Sequence, residues 1–69
     1  MDFVVELPSR LLPIEVKAAR RVTLADAKHL RTFLDDYAHH APAALLLYDG
    51  ADTFWLDRRI LAAPWHRVV

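Results

Sequence analysis

Two alternating segments near the beginning of the chain constrain its fold more than any other feature. Residues 12–18 read L-P-I-E-V-K-A, which places the apolar side chains at even positions on one side of an extended strand and Glu15 and Lys17 on the other. Residues 2–7 alternate in the same way, and a short turn at residues 8–10 separates the two segments. We therefore predict two strands, at 2–7 and 11–18, paired as an antiparallel hairpin.

The register of this hairpin decides where the acidic residue at position 2 lies. Directly opposed residues in an antiparallel pair have residue numbers with a constant sum. An odd sum places Asp2 on the same face as Glu15 and Lys17, whereas an even sum places it on the opposite face. In the odd register, two carboxylates and one ammonium group share a face of the hairpin.

A helix is predicted to follow, from about residue 24 to residue 39. Thr23 and Asp26 have the spacing of a capping box at its beginning. Apolar residues at steps of three and four form one stripe: Ala27, Leu30, Leu34, Tyr37, Ala38 and Ala41. On the polar side, Arg31 and Asp35 are spaced for an ion pair between neighbouring turns.

The remaining residues predict further extended segments. The apolar run 43–48 is typical of a strand covered on both faces. The dipeptide D-G at 49–50 indicates a tight turn, and a strand at 51–57 follows it. Residues 58–69, which end in Val69, are expected to form a turn and a final extended piece that packs back on the domain.

These elements predict a small α/β (α+β) fold with a mixed sheet in the order β-β-α-β-β and one helix packed on one face. The helix is long enough for a crossover connection, so the strands before and after it should be parallel. The opposite face of the sheet, with Asp2, Glu15 and Lys17 in the odd register, is expected to be uncovered.

Size and composition predict one small domain, residues 1–69, that needs a partner. The chain has no cysteine for a disulfide or a thiolate zinc site, and 55% of its residues are hydrophobic, so a second copy or another protein should supply the missing burial. A formal net charge of zero argues against a dedicated nucleic-acid binder, although the pairs at 20–21 and 58–59 provide local arginines. Without a leader segment or an apolar run of ~20 residues, we expect a soluble, cytoplasmic protein outside the membrane.

The order of motifs resembles a known superfamily. The segments D-F-V-V-E at 2–6 and I-E-V-K-A at 14–18, a helix, and an apolar strand ending in Tyr48 look like the PD-(D/E)xK nucleases, which have the restriction-endonuclease-like fold. Within that superfamily, the likeness is to the C-terminal domain of unknown function that follows the P-loop module in many bacterial and archaeal AAA-type ATPases. The resemblance covers about residues 2–65.

The resemblance implies a metal site. Asp2 and Glu15 would be the metal ligands, because two hard oxygen ligands suit Mg²⁺, and Lys17 would lie beside the attacking water. The chain departs from the family pattern because the leading helix and strand of the core would lie before Met1, so the core is truncated. Asp2 also lies next to the terminus, where fraying is expected. The sequence has no G-x-x-x-x-G-K-[ST] motif, so this chain alone is not expected to bind ATP.

Structural interpretations of the same residues stay open beside the metal site. Glu15 and Lys17 also fit an ordinary salt bridge on a half-exposed sheet. Trp55 and Trp65 could stack on bases, but packing or interface contacts are favoured. Four polar residues one helical turn apart could bind zinc, but a polar helix end is favoured: Asp35, Asp36, His39 and His40.

The sequence therefore favours two functions. The first is a metal-dependent, nuclease-like module that processes or binds nucleic acid. The second is a catalytically inactive module that forms a homo-oligomer or docks onto a larger protein. The residues leave open whether the domain is an enzyme.

Overall fold

The computed structural model describes residues 2–68 and contains a five-stranded mixed sheet with one α-helix against it. The elements in chain order are β1 (Phe3–Leu7), β2 (Arg10–Lys17), α1 (Lys28–Asp36), β3 (Ala44–Tyr48), β4 (Phe54–Asp57) and β5 (Ile60–Pro64). The strands lie side by side in the order β1-β2-β3-β5-β4. The predicted fold class, a small mixed sheet with one helix, is confirmed. Val69, which belongs to the predicted final extended piece, lies outside the described residues.

The hairpin at the beginning of the chain is confirmed, and its register is the odd one. β1 and β2 are antiparallel and are joined by a turn at residues 8–9. Phe3 lies opposite Ile14, and Leu7 lies opposite Arg10, so the residue numbers of each pair sum to 17. This register places Asp2 on the same face of the hairpin as Glu15 and Lys17.

The centre of the sheet is formed by three parallel strands. β3 is parallel to β2, as the crossover predicts, and it is also parallel to β5 on its other side. β5 is a strand where the sequence predicted only an extended piece, and it separates β3 from β4. Residues 49–51 therefore form a bend that does not join paired strands, and β4 pairs instead with β5 in an antiparallel manner.

The helical segment begins where predicted and ends earlier. A turn of 3₁₀ helix at Leu24–Ala27 precedes α1. Asp26 makes its part of the predicted capping box, because the Thr23 N–H donates to Asp26 Oδ2 at 2.8 Å. The Asp26 N–H donates to the Thr23 carbonyl at 3.0 Å, which is the backbone bond of the 3₁₀ turn. α1 ends at Asp36 rather than at residue 39. Within residues 2–68, no helix is long and apolar enough to cross a lipid bilayer.

Two contacts tie the end of the helix and the segment after it to the sheet. The Leu11 N–H donates to the His40 carbonyl at 2.6 Å, which ties the segment after α1 to β2. Asp35 accepts a bond from Arg59 Nη2 at 3.0 Å, so its partner is the turn between β4 and β5 and not the predicted Arg31. These contacts fix α1 across the sheet.

The core lies between α1 and one face of the sheet. Leu30 and Leu34 of α1 pack in one cluster with Leu46 and Ile60, and all four side chains are fully buried. Residues paired in a ladder share a face, and Glu15 is paired with Leu46. The expectation that the helix leaves the face of Glu15 uncovered was therefore wrong. The helix covers that face because the side chains on which it packs, Leu46 of β3 and Ile60 of β5, point to it.

We call the other face of the sheet the open face, because α1 does not pack on it; Leu47 and Ala63 on this face are nevertheless buried. The registers place these apolar side chains on it: Phe3, Val5, Leu7, Leu12, Ile14, Val16, Leu45, Leu47, Trp55, Leu61 and Ala63. Phe3 and Trp55, on the two edge strands, are 58% and 59% exposed. Among the paired strand residues that the structure describes, Arg10 is the one charged side chain on this face.

Gly50, the only glycine in the chain, is required by close packing and not by its φ angle, which is not positive. A Cβ atom at this position would collide with the Tyr48 ring and lie 2.8 Å from the Arg20 carbonyl oxygen. The Tyr48 hydroxyl holds the ring in place by donating to the Asp52 carbonyl at 2.7 Å. We expect Gly50→Ala to lower the free energy of unfolding by about 1–3 kcal/mol. Urea denaturation measures this, with Ala51→Ser as the exposed control; equal midpoints would contradict the expectation.

Candidate functional site

Glu15 is the buried acidic residue of the predicted site. It lies in β2 on the helix-covered face, and only 4% of it is exposed. A carboxylate in such a position needs an opposite charge or hydrogen-bond donors to offset its lost hydration. Lys17 supplies a charge, because its Nζ lies 3.3 Å from Glu15 Oε2.

Lys17 lies at the end of β2, at the boundary between the core and solvent. It is paired with Tyr48 of β3, and its side chain is 38% exposed. Two positions along one strand place Lys17 and Glu15 on the same face, as the alternation predicted. The 3.3 Å contact fits the ordinary salt bridge, and it also fits the acid–lysine pair that the resemblance implies.

Asp2 lies beside the same stretch of β2. Its N–H donates to the Ile14 carbonyl at 3.1 Å, and its Oδ2 accepts the Val16 N–H at 2.7 Å. These two backbone contacts flank Glu15 in the sequence. At this end of the edge strand β1, the carboxylate of Asp2 therefore accepts the Val16 N–H of β2 in place of a backbone carbonyl. The structure brings Asp2, Glu15 and Lys17 to one end of the hairpin, with Asp2 exposed and Glu15 buried.

The two histidines after the helix do not lie in the helical geometry that a zinc pair needs. α1 ends at Asp36, so His39 and His40 fall in the turn that follows and are exposed. No group of three or more His, Cys, Asp or Glu side chains in residues 2–68 is arranged to hold a metal ion. The interpretation as a polar helix end stays a prediction, and His39 and His40 lie beyond the end of α1.

A cleft that was not predicted from the sequence lies at the carboxyl ends of the parallel strands. Arg20 and Arg21 line it together with Asp49, Asp52 and His66. In open sheets with parallel strands, ligands bind at this edge, where strand ends and loops meet. The one sequence signal for this cleft is the chain order, because each of these residues follows β2, β3 or β5, and these three strands are parallel.

The other arginine pair does not extend this cleft. Arg59 precedes β5, so it lies at the opposite end of the sheet from Arg20 and Arg21, and its side chain bonds to Asp35. The two arginine pairs therefore do not form one continuous basic strip. The cleft itself contains both signs of charge, from the arginines at 20–21 and from Asp49 and Asp52.

Both tryptophans are exposed and neither is part of the core. Trp55 lies on the open face, and Trp65 begins a short 3₁₀ turn directly after β5. Trp65 is 46% exposed and lines a shallow depression together with Val16, Lys17 and Asp49. Their positions favour contact with a partner over packing of this domain's own interior.

One family model matches this chain, over residues 1–68, and its description is "Domain of unknown function (DUF4143)". No curated protein and no solved structure matches the chain. The family match covers nearly the whole sequence, as does the fold described above. The chain belongs to the DUF4143 family, a family of domains of unknown function.

Proposed function

We propose that this domain is a divalent-metal-dependent module that processes or binds nucleic acid, with Asp2 and Glu15 as ligands of Mg²⁺ and Lys17 beside the reacting phosphate. The observation that supports it most is the 3.3 Å contact between Lys17 and Glu15 at the end of the hairpin where Asp2 also lies. The resemblance of this hairpin to the PD-(D/E)xK nucleases, and to the domain that follows the P-loop module of AAA-type ATPases, supports the same assignment.

The donor set fits a hard cation that keeps several of its waters. Mg²⁺ is usually held by one or two carboxylates together with water, and Asp2 and Glu15 supply two. The bond from the Val16 N–H occupies one oxygen of Asp2, and a carboxylate has a second. When bound, the metal ion would lower the pKa of a coordinated water and neutralise charge on a phosphate.

The chain's own cations would act on the nucleic acid. The half-exposed ammonium of Lys17 would stabilise negative charge that develops on a phosphate oxygen. Arg20 and Arg21, at the carboxyl edge of the sheet, would contact phosphates further along the bound nucleic-acid strand and position that strand. The zero net charge of the chain limits this role to a short, local contact and argues against tight binding of long duplexes.

Metal titration of single variants tests this proposal. Calorimetry with Mg²⁺ and Mn²⁺ should detect one site in the native chain that is lost in Glu15→Ala. Lys17→Ala should keep metal binding while it removes any cleavage of single- or double-stranded DNA or RNA. Glu6→Ala is the matched control, because Glu6 is an exposed carboxylate on β1 about 13 Å along the strand from Asp2.

Two results would remove the proposal. One is a native chain that binds no metal at millimolar concentration. The other is a Glu15→Ala chain, folded by circular dichroism, that binds metal as tightly as the native chain. Glu15→Gln serves as the second variant if alanine prevents folding, because it keeps the side chain's size and removes its charge.

A second candidate function is supported by the open face. The domain would then be a catalytically inactive interaction module that forms a homo-oligomer or docks onto a larger protein. The supporting observation is that large apolar side chains such as Phe3, Leu7 and Trp55 are half or more exposed together on one face. This role and the metal site use opposite faces of the sheet, so one domain can have both.

A further inference from the structure

The open face is broad and almost free of charge, and Leu47 and Ala63 near its middle are buried within the domain itself. Five strands at a spacing of about 4.8 Å, each about five residues long, make a surface of roughly 24 Å by 17 Å. Its exposed large apolar side chains come from three strands: Phe3, Val5, Leu7, Val16 and Trp55. Monomeric soluble proteins rarely expose an apolar patch above a few hundred Å² without using it as an interaction site.

We infer that the open face binds the open face of a second copy of this chain, which makes a face-to-face homodimer. The inference rests on the interaction role proposed above and gives that role its partner. The same patch on both copies must be self-complementary in a two-fold dimer. An apolar face with Arg10 only at its end meets this condition, because no charged side chains are brought together at its centre.

The breadth of the sheet favours a second sheet over a single helix. A helix with its side chains is about 10–12 Å across and would cover only half of the sheet's width. A second sheet packs about 10 Å away with its strands nearly aligned, and it covers all five strands. The zero formal net charge of the chain also means that two copies do not repel each other.

The expected dimer is small and weak. Two faces of roughly 24 Å by 17 Å bury roughly 800 Å² in total, which is the size of a weak, transient interface. Phe3 and Trp55, on opposite edge strands, provide aromatic anchors at both margins, and Val16 lies nearer the centre. We therefore expect a dissociation constant in the micromolar range.

Sedimentation of the full chain over about 1–500 µM tests the dimer, since this range brackets a micromolar constant. The native chain should change from one copy of 7.9 kDa to two as its concentration rises. Val5→Glu places a charge on the open face and should weaken dimerisation at least tenfold. Val4→Glu is the matched control: it is the neighbouring residue, 41% exposed against 39% for Val5, and points to the other face. Val16→Glu is a second variant of the open face.

The possible outcomes distinguish failure of the homodimer from failure of the proposed interaction role. A dimer that is lost in Val5→Glu and Val16→Glu but kept in Val4→Glu supports the inference. A dimer that persists in both open-face variants overturns it, because another surface then mediates association. A chain that is monomeric throughout also overturns it. If that monomer binds an apolar dye that Val5→Glu removes, the interaction role survives with another partner; if it binds none, that role fails too.

Discussion

Replacing Leu46 with alanine is expected to leave little folded protein at room temperature. Leu46 is fully buried in the central strand β3, where it packs with Leu30 and Leu34 of α1. Removing a buried leucine side chain costs about 2–5 kcal/mol, depending on how far the cavity collapses. A core of this size rarely supplies more than about 3–5 kcal/mol of net stability. The loss is therefore comparable to the whole free energy of unfolding.

Urea denaturation followed by tryptophan fluorescence measures this effect, at one fixed chain concentration because a dimer would add concentration-dependent stability. Leu46→Met is the matched control, since a swap that keeps volume costs less than about 1.5 kcal/mol. If Leu46→Ala unfolds at the same urea concentration as Leu46→Met, the core does not depend on the contact between α1 and β3.

The strands with a clear sequence pattern were predictable, and the strand without one was not. β1 and β2 alternate in polarity, and β3 is a continuous apolar run; both patterns follow from the geometry of a sheet. β5 reads I-L-A-A-P, and alanine and proline are poor strand formers. It is a strand because β3 and β4 offer it partners on both sides and its residues are buried, which is tertiary information.

Which face the helix covers could not be read from β2. Its even positions, such as Ile14 and Val16, are more apolar than the odd positions that include Glu15, so the pattern favours a core on the even side. β3 is apolar at every position and fits a helix on either face. The packing of α1 against the Leu46 side decides the question. As a result, Glu15 is buried and the open face is apolar.

The sequence predicted the hairpin of the candidate site but left its register and its environment open. The turn and the alternation allowed two registers, and the odd one, which the structure has, brings Asp2, Glu15 and Lys17 to one end of the hairpin. The contact of Asp2 with the Val16 N–H and the 4% exposure of Glu15 depend on the edge of the sheet and on the helix above it. The residues around positions 2 and 15 do not indicate which strand is at the edge of the sheet or which face the helix covers.

Lys17→Met is expected to lower the free energy of unfolding by about 1–3 kcal/mol, more than an exposed ion pair contributes. Methionine keeps the apolar stem that packs along the sheet, and it removes the ammonium group 3.3 Å from Glu15 Oε2. The buried carboxylate then loses a nearby cation that offsets its desolvation. The 38% exposure of Lys17 keeps the loss below that of a fully buried pair.

A double-mutant cycle with Glu15→Gln isolates the pair from the other contacts of each residue. We expect a coupling energy between Lys17 and Glu15 of about 1–2 kcal/mol, and a value below about 0.5 kcal/mol would contradict the structural role. Mg²⁺ separates that role from the proposed metal site. A metal ion bound to Glu15 replaces part of the charge that Lys17 supplies, so the measured coupling should decrease as Mg²⁺ is added. If the coupling is independent of Mg²⁺, the pair is a salt bridge that stabilises the fold and the metal ligands lie elsewhere.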